Sequence, residues 1–389
     1  MNETQLGVIA LLKSAITQKA ETLPEQFDIE AAYPILRRHG AVAMGYMGAL
    51  CCGIPKELPA MQKLRMDYYA AALKSEGQMA AVKKITKAFD ENGIDYMLLK
   101  GCNMKALYPA HELRGMSDAD VLIRVEQYPK IREILPDLGF AEREETDHEI
   151  IWESKALYLE LHKRLIPTGN QEYFRYYGDG WKVARREQGN AYAMSTEDRF
   201  VYLFTHFAKH YRNGGIGCRH VMDLWVFLRR FPDMDQAYIH RELQTLALME
   251  FYDNMLCTIS AWFDGTTWDE KTELISQVIF SSGNWGNVKT HLLSEVVRKR
   301  KKEETAFGGK VYWLFHKVFI PLDKMRLQYP VLKKWPILLP VYWVVRAFTA
   351  VFLEKERTKR LLGGLVTTSK EELDTHEQSL AYVGLRFEK

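Results

Sequence analysis

The residues with most to offer chemically lie between Lys100 and His162. Ser117 to Ile123 reads as a short strand, and side-chain alternation puts Asp118 and Asp120 on one face, with Ala119, Val121 and Ile123 on the other. Two adjacent carboxylates that stay ionised repel each other, and a hard divalent cation such as Mg²⁺ is the usual remedy. The stretch Ala156 to Leu165 alternates too, with Tyr158, Glu160 and His162 opposite Leu157, Leu159 and Leu161. Glu160 could therefore add a third carboxylate to the same metal site, and three acids from two strands suffice for two-metal chemistry. Upstream, Lys100-Gly101-Cys102 ends the strand Asp95–Gly101 where a helix begins. A glycine there lets backbone N–H groups approach a phosphate near the positive end of a helix. A phosphate cradle beside a metal-binding acid pair suits transfer from a nucleoside triphosphate, a reaction catalysed mainly by positioning and charge neutralisation.

The elements that must carry these residues can be read from the patterning. Residues 5–90 show helical periodicity, notably Leu64 to Phe89, until the turn signal Asn92-Gly93. After the Asp95 strand, a helix from Asn103 to Leu107 and a loop at Tyr108-Pro109 lead into the acid-bearing strand. A helix over Tyr128–Leu138 and strands over Glu149–Ser154 and Ala156–Leu165 follow. Thr196 to Ser281 is helical, with Phe200, Leu203, Phe204 and Phe207 spaced along one buried face. The spacing predicts an α+β chain in four parts: a helical region over 1–90, a sheet-containing core over 91–170, a helical domain over 171–300 and an aromatic-rich helical region over 301–389. The run Arg298-Lys299-Arg300-Lys301-Lys302 reads as a solvated helix end or linker.

Two further groups keep several readings open. His206 and His210 sit i, i+4 on a helix, within reach of Asp223 as an orienting carboxylate. They could bind zinc, although the HExxH glutamate and a third ligand are missing. They could instead contact nucleotide or acceptor, or simply pack. Arg114, four residues before Asp118, could neutralise phosphate or pair with the acids.

Composition limits the alternatives. Of 389 residues, 47% are hydrophobic and 26% charged, which excludes a disordered or collagenous chain. A net charge of +3 gives no broad field for polyanions, so no strong nucleic-acid signature is present. Five cysteines without CxxC spacing, and an N-terminus unlike a secretion signal, predict a reducing cytoplasmic setting. Trp335 to Leu353 is strongly apolar, but Pro336, Pro340 and Arg346 argue against a span. With its interspersed lysines it reads as a buried helix or as a peripheral membrane contact.

The segments Leu98-Leu99-Lys100-Gly101, Leu107-Tyr108-Pro109, Arg114, Ser117-Asp118-Ala119-Asp120-Val121-Leu122-Ile123 and Leu159-Glu160-Leu161-His162 resemble the uncharacterised nucleotidyltransferase family of the polymerase β-like nucleotidyltransferase superfamily. His206, Lys209, His210, Arg219 and Asp223-Leu224 look like that family's helical segment after the core, so the resemblance spans Tyr96 to Leu228. It implies a minimal nucleotidyltransferase mixed sheet flanked by helices, with Gly101 and Cys102 as the phosphate loop and Asp118 and Asp120 as the metal pair. Two departures stand out: Cys102 replaces a Gly or Ser and brings no hydroxyl, and Glu160 replaces the commoner aspartate. The expectation is a Mg²⁺- or Mn²⁺-dependent transferase moving a nucleoside monophosphate from an NTP such as ATP to a small molecule, sugar or protein acceptor. Asp118, Asp120 and Glu160 would be catalytic and metal-binding, with Lys100, Gly101, Cys102, Arg114, Ser117, His206, Lys209 and His210 around the nucleotide. The competing expectation is a catalytically silent nucleotide-sensing or partner-binding protein on the same fold.

Overall fold

A computed structural model describes residues 1–284, 286–299, 318–352 and 368–387, together with the single positions 308, 315 and 363. Four helices open the chain: α1 (Glu3–Thr17), α2 (Ile29–Arg38), α3 (Val42–Cys51) and α4 (Pro59–Glu91). The first is started by a capping box in which Asn2 and Gln5 satisfy each other's backbone N–H. The fourth begins on a proline, whose missing N–H costs nothing there, and stops at Asn92-Gly93. Strand β1 (Tyr96–Leu98), helix α5 (Lys100–Lys105) and strand β2 (Asp118–Ile123) follow, then α6 (Tyr128–Ile134). After these come β3 (Ala141–Glu145), β4 (Glu149–Glu153), β5 (Tyr158–His162), α7 (Gln171–Tyr177), β6 (Arg185–Gln188) and β7 (Ala191–Ala193). Helices α8 (Thr196–Gly214), α9 (Cys218–Arg230), α10 (Gln236–Thr245), α11 (Met249–Phe263), α12 (Glu270–Ser282) and α13 (Val288–Lys299) complete the body.

The strands form one mixed sheet in the order β3-β4-β5-β2-β1-β7-β6. Its edge strands β3 and β6, and the three-residue β7 beside β6, are not foreseen by the patterning, because very short segments and charged ones such as Ala-Glu-Arg-Glu-Glu look like loops. Such polar, short strands are what a sheet edge tolerates. The expected strand over Ala156–Leu165 is trimmed to Tyr158–His162. The Ser154 turn, closed by Ser154 N–H on the Leu157 carbonyl, delays its start. The helix expected from Asn103 begins three residues earlier, at Lys100. The helix expected over Tyr128–Leu138 tightens to a 3₁₀ turn after Ile134.

One sheet face is apolar and packs Ala119, Val121, Leu159, Leu161, Ile150 and Trp152 against Val82, Ile85 and Phe89 of α4 and Ile131 of α6. The opposite face carries the polar residues. A larger core holds the helices together, with Phe200, Phe204 and Phe207 of α8 clustered on Phe251 and Tyr252 of α11. Leu203, expected on that buried stripe, instead turns toward the polar face of the sheet. In the C-terminal part, the helix over Leu339–Phe352 leaves Ile337 beside it 83% and Val344 69% exposed. Among the described residues, no helix is long and apolar enough to cross a membrane. Residues 300–302 of the basic run lie outside the described residues.

Candidate active site

Register brings the acids together. Strands β2 and β5 are parallel, with Asp118 beside Tyr158, Asp120 beside Glu160 and Leu122 beside His162. Strand β4 runs antiparallel to β5 and sets Glu149 opposite His162. Asp118, Asp120, Glu160, His162 and Glu149 therefore share one face, as period-2 alternation requires. They form one wall of a cavity of about 400 Å³ whose other wall comes from α8 and α9. The two helices can turn so sharply here because Gly215, at φ +85°, lies so close to Ser282 that a Cβ would overlap its hydroxyl.

The charges on the sheet face are unevenly satisfied. Asp120 is 3% exposed, and its Oδ1 takes Lys100 Nζ at 2.6 Å and lies 2.8 Å from His162 Nε2. Burial alone would raise this carboxyl, but Lys100 and His162 outweigh it and hold it below the usual carboxylate range. Asp118 goes the other way: burial, then the charges of Asp120 and Glu160, lift it to about 6. Asp118 and Glu160 therefore repel each other while both are ionised. Oxygen donors on adjacent strands, one of them pushed toward neutrality by its neighbours, fit a hard divalent cation.

The phosphate-loop residues divide. Lys100, a non-glycine residue at φ +36°, stores backbone strain that its buried ion pair with Asp120 offsets. Gly101 reaches the cavity, and the space a Cβ would need is filled by Arg114 and Met116. Cys102 does not fit the expected contact. Its side chain is buried in the apolar core behind the sheet, its N–H bonds the Leu99 carbonyl, and burial raises its thiol to about 12. Its thiol is therefore turned away from the cavity.

Arg114 resolves its two readings in a third way. It is buried against Asp223, Nε to Oδ1 at 3.2 Å and Nη2 to Oδ2 at 2.8 Å, and Tyr108 donates to the same Oδ1 at 2.8 Å. Asp223 is thus fully engaged and orients no imidazole, contrary to the expectation from spacing. Ser117 lines the cavity at the start of β2.

The facing wall is cationic or neutral-basic. His206 and His210 lie with their Nε2 atoms 3.0 Å apart, and no third metal-ligating residue joins them among the described residues. Burial, then Lys100 for His206 and Lys209 for His210, keeps both imidazoles well below their usual pKa. Burial and the field of Lys100 lower Lys209 to about 8. Arg219, whose Nη1 donates to the Gly115 carbonyl, is lowered to about 10 by burial and Arg114. This wall is short of counter-charge, and the sheet wall has a surplus of acid.

Residues 25–264, well over half the chain, match the model of the family described as uncharacterised nucleotidyltransferase. The chain belongs to this family. Comparison with curated proteins and with solved structures finds no match. The family match begins in the N-terminal helices, well before Tyr96 where the motif resemblance starts, so α2–α4 belong to the nucleotidyltransferase unit. In this nucleotidyltransferase, every site residue expected from the sequence lines the cavity except Cys102. Sequence reasoning passes over His148, Glu149, Arg219 and His220 as site residues, although they line the cavity too. His162 carries a signal in the sequence, since it alternates in phase with Glu160. Glu149 carries none, because the antiparallel register that brings it to His162 is invisible in one chain.

Proposed function

We propose that the protein is a metal-dependent nucleotidyltransferase that moves a nucleoside monophosphate from an NTP to an acceptor and releases pyrophosphate. The observation that carries this reading is the convergence of Asp118, Asp120 and Glu160 on one sheet face opposite the basic wall of α8 and α9. A divalent cation held by these three carboxylates would neutralise charge on the α-phosphate and on the departing pyrophosphate. The protein's own groups do the rest. Lys209 and Arg219 would face the triphosphate oxygens as cations, and the His206–His210 pair would gain charge as the phosphates bind, while Lys100 keeps Asp120 ionised. An acceptor oxygen attacks the α-phosphorus, the bond to the oxygen bridging to the β-phosphate breaks and pyrophosphate leaves, and the acceptor's proton passes to the Glu160 carboxylate.

The second reading, nucleotide sensing without transfer, is favoured by one feature: Lys100 already occupies Asp120 in the resting geometry. The test uses purified protein, Mg²⁺ and a set of hydroxyl- and phosphate-bearing acceptors. Label from the α-position of an NTP should reach an acceptor, and label from the γ-position should not. Transfer of γ-label would refute nucleotidyl transfer, and binding without transfer from either position would favour the sensing reading.

A further inference from the structure

At the edge of the cavity, His148, Glu149 and His162 each bring one donor atom to within 4.8 Å of the others. The three are held in place by contacts outside the cluster. His148 Nδ1 lies 3.3 Å from the Thr146 hydroxyl and 3.7 Å from Asp147, and Asp147 in turn accepts from Thr168 at 2.7 Å. That leaves His148 Nε2 for the site, where it lies 2.9 Å from Glu149 Oε2. The His148 carbonyl accepts from Lys163 N–H at 2.7 Å, fixing the backbone beside the β4–β5 pair that sets Glu149 opposite His162. His162 is 2% exposed, and with Nε2 committed to Asp120 its Nδ1 is buried with no hydrogen-bond partner. A buried ring nitrogen without a hydrogen-bond partner is open to a ligand.

We propose that His148, Glu149 and His162 form a second metal site, for a divalent transition ion of the zinc type, adjoining the carboxylate site, since His162 Nε2 also lies 2.8 Å from Asp120 and 3.5 Å from Glu160. Two imidazoles and one carboxylate are borderline-soft donors that favour Zn²⁺ or its first-row neighbours over Mg²⁺, which prefers oxygen alone. Three protein ligands would leave a coordination position open, and all three residues line the cavity. The carboxylates that orient the two imidazoles, Asp147 for His148 and Asp120 for His162, are the outer partners that metal-bound histidines ordinarily have. Through Asp120, His162 mechanically links the two sites. The site does not depend on nucleotidyl transfer, and a sensing protein could hold it equally.

The test is Co²⁺ titration of the full chain after chelator treatment, in excess Mg²⁺, read by the visible absorption of low-coordinate Co²⁺. One equivalent should bind despite the Mg²⁺, and Zn²⁺ should displace it. His148→Ala and Glu149→Gln should each weaken binding at least tenfold, while Glu160→Gln should leave it unchanged. His148 lies in the turn before β4 and removes no core packing, so its variant should melt like the parent. Absence of the absorption in the unmodified protein, its suppression by Mg²⁺, or its loss in Glu160→Gln with retention in His148→Ala would each overturn the proposal.

Discussion

Two ends of one cavity treat buried charge in opposite ways. At the α9 end, Asp223 is closed by Arg114 on both oxygens and by Tyr108 on one, so the protein supplies every partner it needs. At the sheet end, Lys100 and His162 satisfy Asp120 on one oxygen only, and Asp118 is left against Glu160 and lifted to about 6. The first arrangement is what a stable core requires, and the second is the arrangement a divalent cation would relieve. The difference separates charges that are paired within the fold from charges that the proposed reaction would use, although all of them line the same cavity and all look alike in the sequence.

The sharpest way to break this division is to remove Arg114. Arg114→Ala leaves Asp223 buried without its cation and should cost about 3–5 kcal/mol of stability, measured by denaturant unfolding. A loss under 1 kcal/mol would mean that the α9 end is not structural. On the sheet side the expected signs reverse. Asp118→Asn together with Asp120→Asn should reduce transfer on the order of 10²–10³-fold. Asp118→Asn alone should raise the melting temperature of metal-free protein, because it removes a crowded charge. A melting temperature that falls would place Asp118 with the structural acids.

A third prediction concerns pH. His39 is fully buried beside Phe280, its Nδ1 accepts the Cys218 N–H at 3.1 Å, and burial, followed by Arg38, lowers its pKa from 6.5 to about 4. Between those values the unfolded chain takes up a proton that the folded chain refuses. Stability conferred by the neutral ring is therefore complete above pH 6.5 and is lost as pH falls toward 4, by roughly 3 kcal/mol in all. His39→Gln should flatten that slope in pH-dependent thermal melts. An unchanged slope would assign it to other groups. The smallest effect expected is at the basic wall, where Lys209→Ala should weaken nucleotide binding about tenfold without altering the melting temperature.

The site was legible where chemistry and period coincide. Asp118, Asp120 and Glu160 are found by alternation along two short strands, and the register that joins those strands keeps them on one face. The helical stripe of α8 was legible except at Leu203, because the sequence does not reveal that one flank of the helix faces a cavity. The partner of Arg114 was not, since the pair is formed by residues from separate elements and spacing favoured the nearer acids. Cys102 was misplaced for a related reason: the motif gives its position in the chain, but only the helix beginning at Lys100 decides that its thiol turns into the core. The edge strands stayed hidden because their charged sequences satisfy the edge rather than the interior.

The most direct measurement is calorimetric titration of the unmodified protein with an NTP, once in excess Mg²⁺ and once in EDTA. If the crowded carboxylates at the sheet end await a cation, they repel the triphosphate in EDTA and admit it in Mg²⁺. Affinity should then rise at least tenfold with the metal, and Asp118→Asn with Asp120→Asn should abolish that dependence. Equal affinity in the two buffers would contradict the assignment of these acids to a metal-dependent nucleotide site.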